Sequence, residues 1–301
     1  MFACLTKEAG KCSRRLFSTI QKGRKYTKEF QTYLIDDSGR PASFFHDVPL
    51  DLNPKISTAS MVIEIPRYSQ AKFEISKELP WNPITQDTKK GKLRYVNNIF
   101  PFKGYPFNYG AFPQTWEDPT FEALGNKELY GDDDPLDVLE LGSTVGKLGE
   151  IKTVKVLGAL AMIDEGELDW KIITINLKDP MAKALTDIND VSTVMPGSLN
   201  AIRIWFKDYK RPAGKPENTF AFDGRYLGRN DAVSVIEQCN KRWSALVSGK
   251  TTLKGKKLPQ ILNSTIRESI GFRNRTEYHI EAYSGENGVP KPDSTVFYYG
   301  N

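Results

Sequence analysis

Short apolar runs broken by turns fill the first part of the chain, and helical periodicity appears only after them. Residues 30–35 (FQTYLI) run into Asp36-Asp37-Ser38-Gly39, a turn signal, and predict a strand pair continuing toward Phe44. Further strands are expected at 61–65, 71–75, 93–96, 137–141 and 152–162. In 71–75 (AKFEI) apolar and charged residues alternate, so Lys72 and Glu74 share one face and Phe73 and Ile75 the other. A charged strand face is either the solvent side or the wall of a polar cleft. The turn Asp164-Glu165-Gly166-Glu167 followed by 170–177 (WKIITINL) predicts a hairpin. Six or more short strands with mostly short connections predict a small closed or nearly closed barrel.

Two amphipathic helices are expected to cover that barrel. In 231–249, Ala232, Val235, Ile236, Cys239, Trp243 and Leu246 recur at spacings of three and four and form one apolar stripe. A second helix is expected at 199–209, behind Pro196-Gly197-Ser198, with Ile202 and Phe206 on one face. Beyond Gly249 the chain is polar and without sustained period. The expected organisation is therefore a basic leader at 1–30, one catalytic domain at 31–250 and an irregular C-terminal extension at 251–301.

Charge sharpens the reading of the leader. The formal net charge is +5, but residues 1–30 hold eight Lys or Arg against Glu8 and Glu29, which leaves 34 basic and 35 acidic side chains for the rest. The leader is rich in Arg, Lys and hydroxyl residues and has no continuous apolar centre. That is the composition of a mitochondrial transit peptide, with cleavage expected between Ser18 and Lys28; the alternative is a disordered basic tail. No run approaches the roughly 18 apolar residues that span a bilayer, so no integral membrane segment is expected. Cys4 and Cys12 fall in the leader, which leaves Cys239 with His46 and His279. These cannot build a His/Cys zinc site, and any metal must be held by oxygen.

The candidate chemistry begins at residues 131–137, GDDDPLD. A calcium loop counted from Asp132 would need Gly at its sixth position and Glu at its twelfth; Asp137 and Ser143 stand there. A turn with a capping Asp explains one or two of the carboxylates but not the set. Asp132, Asp134 and Asp137 together suit hard divalent cations such as Mg²⁺, and a second acidic cluster, 164–169, could complete a site for several ions. Fixed cations are interspersed with aromatics at Lys72, in 89–94 (KKGKLR), in 103–110 (KGYPFNYG) and at Tyr209-Lys210-Arg211. Each alone reads as solvated surface, and a groove for nucleic acid is the next reading. The two acidic clusters would repel a polyanion, so the whole set suits a small, highly charged phosphate ester or anhydride.

Several motifs in order resemble those of the soluble, family I inorganic pyrophosphatases. They are VIEIPR at 62–67, the run 89–94, NYGAFPQTWEDP at 108–119, DDDPLDV at 132–138 and KPEN at 215–218. The similarity runs from about Phe30 to about Gly249 and is of the eukaryotic, mitochondrial type. It implies an OB-like five-stranded β-barrel with flanking helices and terminal extensions, mainly β with some α. It also implies hydrolysis of pyrophosphate to two phosphates with several Mg²⁺ ions per active site, no nucleic-acid partner, a homodimer, and a place in the mitochondrion, with the matrix expected.

Residue by residue, the resemblance implies that Asp132, Asp137 and Asp169 bind the metals that activate water, with Asp134 as proton acceptor. Asp164 and Glu74 take further metal-shell positions, Glu74 through water, and Glu64 and Asp87 match other acidic cleft positions. Lys72, Arg94, Tyr109, Lys171, Tyr209 and Lys210 match phosphate-contacting positions, and Tyr105 lines the same cleft. Asp133 falls at a variable position and is given no catalytic role. Two alternatives stand beside this reading: an OB-type nucleic-acid-binding module without catalysis, which would use the aromatics and lysines and none of the acids, and a non-catalytic relative, opposed by the intact set of acidic positions.

Overall fold

Five strands close on themselves in the computed structural model, which describes residues 17–122, 129–253, 257–274, 278–292 and 295–299. They are β1 (Thr58–Ile65), β2 (Asn108–Ala111), β3 (Asp137–Glu140), β4 (Ile151–Asp164) and β5 (Glu167–Asn176). β2 lies antiparallel between β1 and β3, β3 runs parallel to β5, and β5 and β1 both pair antiparallel with β4. The ring β1-β2-β3-β5-β4 thus returns to β1 and leaves no free edge. This is the expected OB-like barrel.

β2 is the strand that periodicity does not reveal. Four residues, NYGA, are too few for an alternating pattern, and a Gly in their midst argues against a strand. Gly110 is there because the backbones of β1 and β2 approach too closely for a side chain: a Cβ would lie 1.9 Å from the Val62 carbonyl oxygen.

Alternate residues divide between two apolar clusters, as the pleat requires. Met61, Ile63, Val138, Leu168 and Ile172 pack with the stripe Ala232, Ile236 and Cys239 of α3 (Arg229–Val247). Val62, Ala111, Leu139, Ile173 and Ile175 face the other way, toward Trp205 and Phe206 of α2 (Ser198–Asp208). A short helix, α1 (Ile188–Val194), precedes α2 and has a capping box between Asp187 and Asp190.

A second, smaller sheet stands over the barrel: Ser18–Lys22, Gln31–Ile35, Ile84–Gln86 and Phe73–Ile75, in that order, with Pro41–Ala42 paired to Gln31–Ile35. Its first strand falls within the segment read as a leader. Ser18–Lys22 lies inside 1–30 yet makes five register pairs with Gln31–Ile35, so the folded unit reaches back at least to Ser18. Cleavage after 18–28 would remove this strand; residues 1–16, with Cys4 and Cys12, lie outside the described residues. The strand expected at 93–96 is also shorter. Lys92–Leu93 pairs with Thr88–Lys89 in a hairpin, and Tyr95 makes a single bridge to Ala71.

The described residues after Gly249 have little regular structure but are tied to the core. The buried Asp47 carboxylate accepts hydrogen bonds from the Ser264 N–H (2.8 Å) and the Thr265 hydroxyl (2.6 Å). Phe297–Tyr298 adds a parallel strand to Asn98–Ile99.

Candidate active site

One rim of the barrel gathers the polar residues. Period two puts Asp169 and Lys171 on the same face of β5, the parallel register sets Asp137 of β3 beside Lys171, and the antiparallel register of β2 sets Ala111 beside Asp137. Lys171, only 2 % exposed, donates to the carboxylates of Asp137 and Asp169 and, at 3.2 Å, to the Tyr109 hydroxyl. Tyr109 in turn donates to Asp137. Burial opposes the charge on Lys171, but Asp137 and Asp169 outweigh it and hold its pKa well above the usual lysine value.

The small sheet supplies the facing wall. Glu64 of β1 accepts a hydrogen bond from the Ile75 N–H at 2.7 Å and so fixes the strand Phe73–Ile75 above the barrel mouth. The alternation read in 71–75 then has its consequence: Phe73 and Ile75 are buried, while Lys72 and Glu74 pair with each other in the cleft. Asp87 lies behind them, 2.8 Å from the Arg94 guanidinium and 3.3 Å from the Lys72 ammonium. Burial tends to raise the Asp87 pKa, but these two cations outweigh it and hold it below the usual carboxylate range. Burial, reinforced by the charge of Asp137, raises Glu64 well above that range.

The third wall comes from α2 and the residues after it. Trp205 and Phe206 are buried, Trp205 lies against the Tyr105 ring with centroids 4.9 Å apart, and Tyr209 stacks on Trp205 with ring centroids 5.0 Å apart. Lys210 pairs with Asp164 at the end of β4. Burial raises both tyrosines, Tyr105 up to about 12, so each hydroxyl keeps its proton as a donor at neutral pH.

The loop GDDDPLD closes the cleft, and its neighbours aim in different directions. The Asp134 N–H donates to Asp132 Oδ1 at 3.0 Å, and Asp133 takes a positive φ of 68°. That turn sends the Asp133 carboxylate away, to the Trp116 indole N–H at 3.0 Å and to Lys77 at 3.2 Å. The loop is held by backbone pairing with the segment QTWEDP: the Glu117 N–H donates to the Asp134 carbonyl, and the Asp133 N–H to the Glu117 carbonyl, both at 2.9 Å. Gly131 permits this approach, since a Cβ there would come within 2.5 Å of the Glu117 backbone.

The docked segment brings in a residue that sequence reasoning did not select. Ligand atoms of Glu117, Asp132 and Asp169 all lie within 4.8 Å of one another. Glu117 Oε1 accepts from the Trp170 N–H at 3.1 Å, but its buried Oε2 has no hydrogen-bond partner. Burial, reinforced by the neighbouring carboxylates, pushes Glu117 and Asp132 well above the ordinary range and Asp169 up to about 7. Of the three, Asp169 shares Lys171 with Asp137, whereas among the described residues Glu117 and Asp132 have no ion-pair partner. Glu167, exposed at the start of β5, also lines the cleft and was not selected. The signal for it lay in the acidic turn, and that for Glu117 in the motif 108–119.

The resulting cleft has a volume of about 200 Å³. Every candidate residue lines it except Asp87, which stands behind Arg94 and Lys72: the acids Glu64, Glu74, Asp132, Asp134, Asp137, Asp164 and Asp169, the cations Lys72, Arg94, Lys171 and Lys210, and the tyrosines Tyr105, Tyr109 and Tyr209. Carboxylates crowd its barrel side, and Lys72, Arg94 and Lys210 rim the opposite side, each on its own carboxylate. Such a site suits a compact polyanion accompanied by hard cations.

Comparison with known proteins agrees. The family model described as Inorganic pyrophosphatase matches residues 61–244. The chain is 54% identical over 250 residues to "Inorganic pyrophosphatase, mitochondrial" of Saccharomyces cerevisiae, covering 82% of this chain and 81% of that one. It is 48% identical over 280 residues to the inorganic pyrophosphatase of Eremothecium gossypii, covering 93% and 94%. Among solved structures, the inorganic pyrophosphatase from Schistosoma japonicum superposes with a TM-score of 0.88 at 40% identity, covering 94% of this chain and all of that one. A truncated Trypanosoma cruzi vacuolar soluble pyrophosphatase in complex with PPi gives a TM-score of 0.73 at 35% identity, covering 82% and 97%.

Proposed function

This chain belongs to the inorganic pyrophosphatase family, and from that premise we propose that it is a Mg²⁺-dependent enzyme of the mitochondrion that hydrolyses diphosphate with the residues of the cleft described above. One observation carries the reading: in a single cleft, a cluster of buried, mutually repelling carboxylates faces an arc of lysine, arginine and tyrosine donors.

The donor chemistry fits Mg²⁺. The ligand atoms are all carboxylate oxygens, Glu117 keeps a buried oxygen without a hydrogen-bond partner, and burial with mutual repulsion disfavours the charges on Glu117 and Asp132, which a bound cation would offset. Asp132, Asp137 and Asp169 would hold the ions, with Asp164 and Glu74 at the outer positions and Glu117 behind Asp132. When bound, these ions make a water molecule acidic enough to serve as nucleophile at neutral pH and neutralise the phosphate oxygens.

The remaining work falls to the chain's own groups. Asp134, at the solvent side of the cluster, takes the proton of the attacking water. Lys72, Arg94 and Lys210 exchange their carboxylate partners for phosphate oxygens, and Tyr109 and Tyr209 donate to the same oxygens. Gathered around the cleft before substrate arrives, these donors stabilise charge developing on the leaving phosphate once they have turned from their carboxylates to its oxygens. Lys171 holds Asp137 and Asp169 in place and neutralises part of their charge. The binding-module alternative would leave the entire carboxylate cluster without a role.

Import rests on the basic residues of the leader and on the mitochondrial relative. A homodimer is supported by an exposed aromatic cluster, in which Phe100 stacks on Tyr299 at 5.0 Å and meets Phe297 edge-on; a monomer mass in analytical ultracentrifugation would remove it. The central test is phosphate release from diphosphate by the full chain, titrated with Mg²⁺. Release that rises with Mg²⁺ and stops on chelation is expected. Release indifferent to chelation would refute the metal-dependent reading.

A further inference from the structure

A basic groove opens from the mouth of the cleft, and the reading above gives it no task. It shares Arg94, Tyr209 and Lys210 with the cleft and continues past Lys89, Lys90, Lys92 and Lys215, with a volume of about 610 Å³, three times that of the cleft itself. The hairpin Thr88–Lys89/Lys92–Leu93 carries three of these lysines, turning through Lys90 and Gly91, both at positive φ.

The arrangement runs against the hairpin's own stability. Lys89 and Lys92 are directly opposite each other in register, and like charges so placed repel. Among the described residues no carboxylate lies within 4.0 Å of the ammonium groups of Lys89, Lys90 or Lys92. Glu165, the acid nearest this wall, is engaged by Lys215 at 2.8 Å and faces Lys210 at 4.0 Å. Burial and the positive charges of Arg94 and Lys215 lower the Lys89 pKa and outweigh the opposing charge of Glu165.

We propose that this groove is a subsite for the chain of a linear inorganic polyphosphate, whose terminal phosphates enter the cleft while the following ones lie along Lys89, Lys92 and Lys215. The inference rests on the diphosphatase reading of the cleft and extends its substrate class. Diphosphate ends inside the cleft and gains nothing from the groove. A longer phosphoanhydride chain carries a further negative charge on each added unit, directed out through the shared Arg94, Tyr209 and Lys210, and meets Lys89 and Lys92, which have no carboxylate partner among the described residues, and Lys215, which shares Glu165 with Lys210.

The reaction is the same hydrolysis. Water oxygen bonds to the terminal phosphorus, the bond from that phosphorus to the bridging oxygen breaks, and the electron pair leaves with the shortened chain. One water proton passes to Asp134 and on to solvent. Tripolyphosphate gives phosphate and diphosphate, and the diphosphate is itself a substrate, so two waters yield three phosphates.

The test measures diphosphate and tripolyphosphate hydrolysis side by side in the full chain and in a triple variant, Lys89→Ser, Lys92→Ser and Lys215→Ser. Lys92→Glu alone serves as a second variant that changes one exposed side chain. The wild-type chain is expected to hydrolyse both compounds. The triple variant should raise KM for tripolyphosphate about tenfold while kcat/KM for diphosphate stays within about twofold, and Lys92→Glu should shift the same ratio in the same direction. No tripolyphosphate hydrolysis by an enzyme active on diphosphate, or equal losses on both substrates, overturns the inference. Inactivity of the wild type on diphosphate would instead overturn the reading of the cleft, and this inference with it.

Discussion

Replacing Asp134 by Asn separates its chemical role from its structural one. The side chain is 46% exposed, and its ion-pair partner is Lys77 at 2.8 Å. The contacts that shape the loop are made by the backbone of residue 134, through its N–H to Asp132 and its carbonyl to Glu117, and an amide leaves both intact. Loss of a half-exposed ion pair costs at most about 1 kcal/mol. Loss of a positioned general base costs on the order of 10²–10⁴ in rate, or about 2.7–5.4 kcal/mol on the activation barrier. Urea unfolding should therefore place the variant within about 1 kcal/mol of wild type, while turnover at saturating Mg²⁺ and diphosphate falls at least about a hundredfold. Turnover within threefold of wild type, in a protein of unchanged stability, would refute the assignment of Asp134 as base. A parallel loss of stability and activity would show instead that its carboxylate holds the loop together.

Three further outcomes follow from the packing. Gly110→Ala should cost more than about 3 kcal/mol or prevent folding, because the new Cβ meets the Val62 carbonyl oxygen at 1.9 Å in the tightest part of the barrel; wild-type thermal stability would contradict the close approach of β1 and β2. His46 is fully buried between the Trp243 indole N–H (2.9 Å) and the Gln260 carbonyl (2.9 Å), and burial pushes its pKa from 6.5 down to about 4. Between those values the unfolded chain binds a proton that the folded protein refuses, so this group's contribution falls as pH falls, by up to about 3 kcal/mol. His46→Gln should be less stable at pH 7 and close the gap to wild type by pH 5 in urea titrations, and a gap that stays constant would contradict this. A chain starting at residue 29 loses the strand Ser18–Lys22 and should be about 2–4 kcal/mol less stable in urea unfolding than one starting at residue 17; equal stability of the two would show that this strand contributes nothing.

Much of the barrel was legible in the chain because its longer strands carry their own signal. The alternation of 71–75 set Lys72 and Glu74 on one face and Phe73 and Ile75 on the other, leaving open whether the charged face met solvent or a cleft, and the apolar run in 152–162 predicted a strand that became β4 (Ile151–Asp164). The stripe of α3 was likewise readable, with five of its six residues, Ala232, Ile236, Cys239, Trp243 and Leu246, buried. β2 was not, since a four-residue strand with a central Gly has no period; what makes it a strand is the close backbone of β1, which no local pattern encodes. The strand Ser18–Lys22 was not legible for a related reason. Composition marks 18–28 as basic and polar, but register with Gln31–Ile35 decides whether it folds.

The sequence by itself determined the donor chemistry: a chain with one cysteine and two histidines beyond its leader, and with clustered aspartates, can hold a metal only through oxygen. It also determined the face on which each strand-borne side chain lies, because a period of two is a local property of the backbone. Only the tertiary structure decided which acids meet. Asp133 sits between two cleft residues and yet points away, through a positive φ stabilised by Trp116 and Lys77, while Glu117 enters from a separate segment because Gly131 lets the two backbones touch. Those outcomes depend on contacts between residues far apart in the chain, and such contacts exist only once the ring of strands has closed.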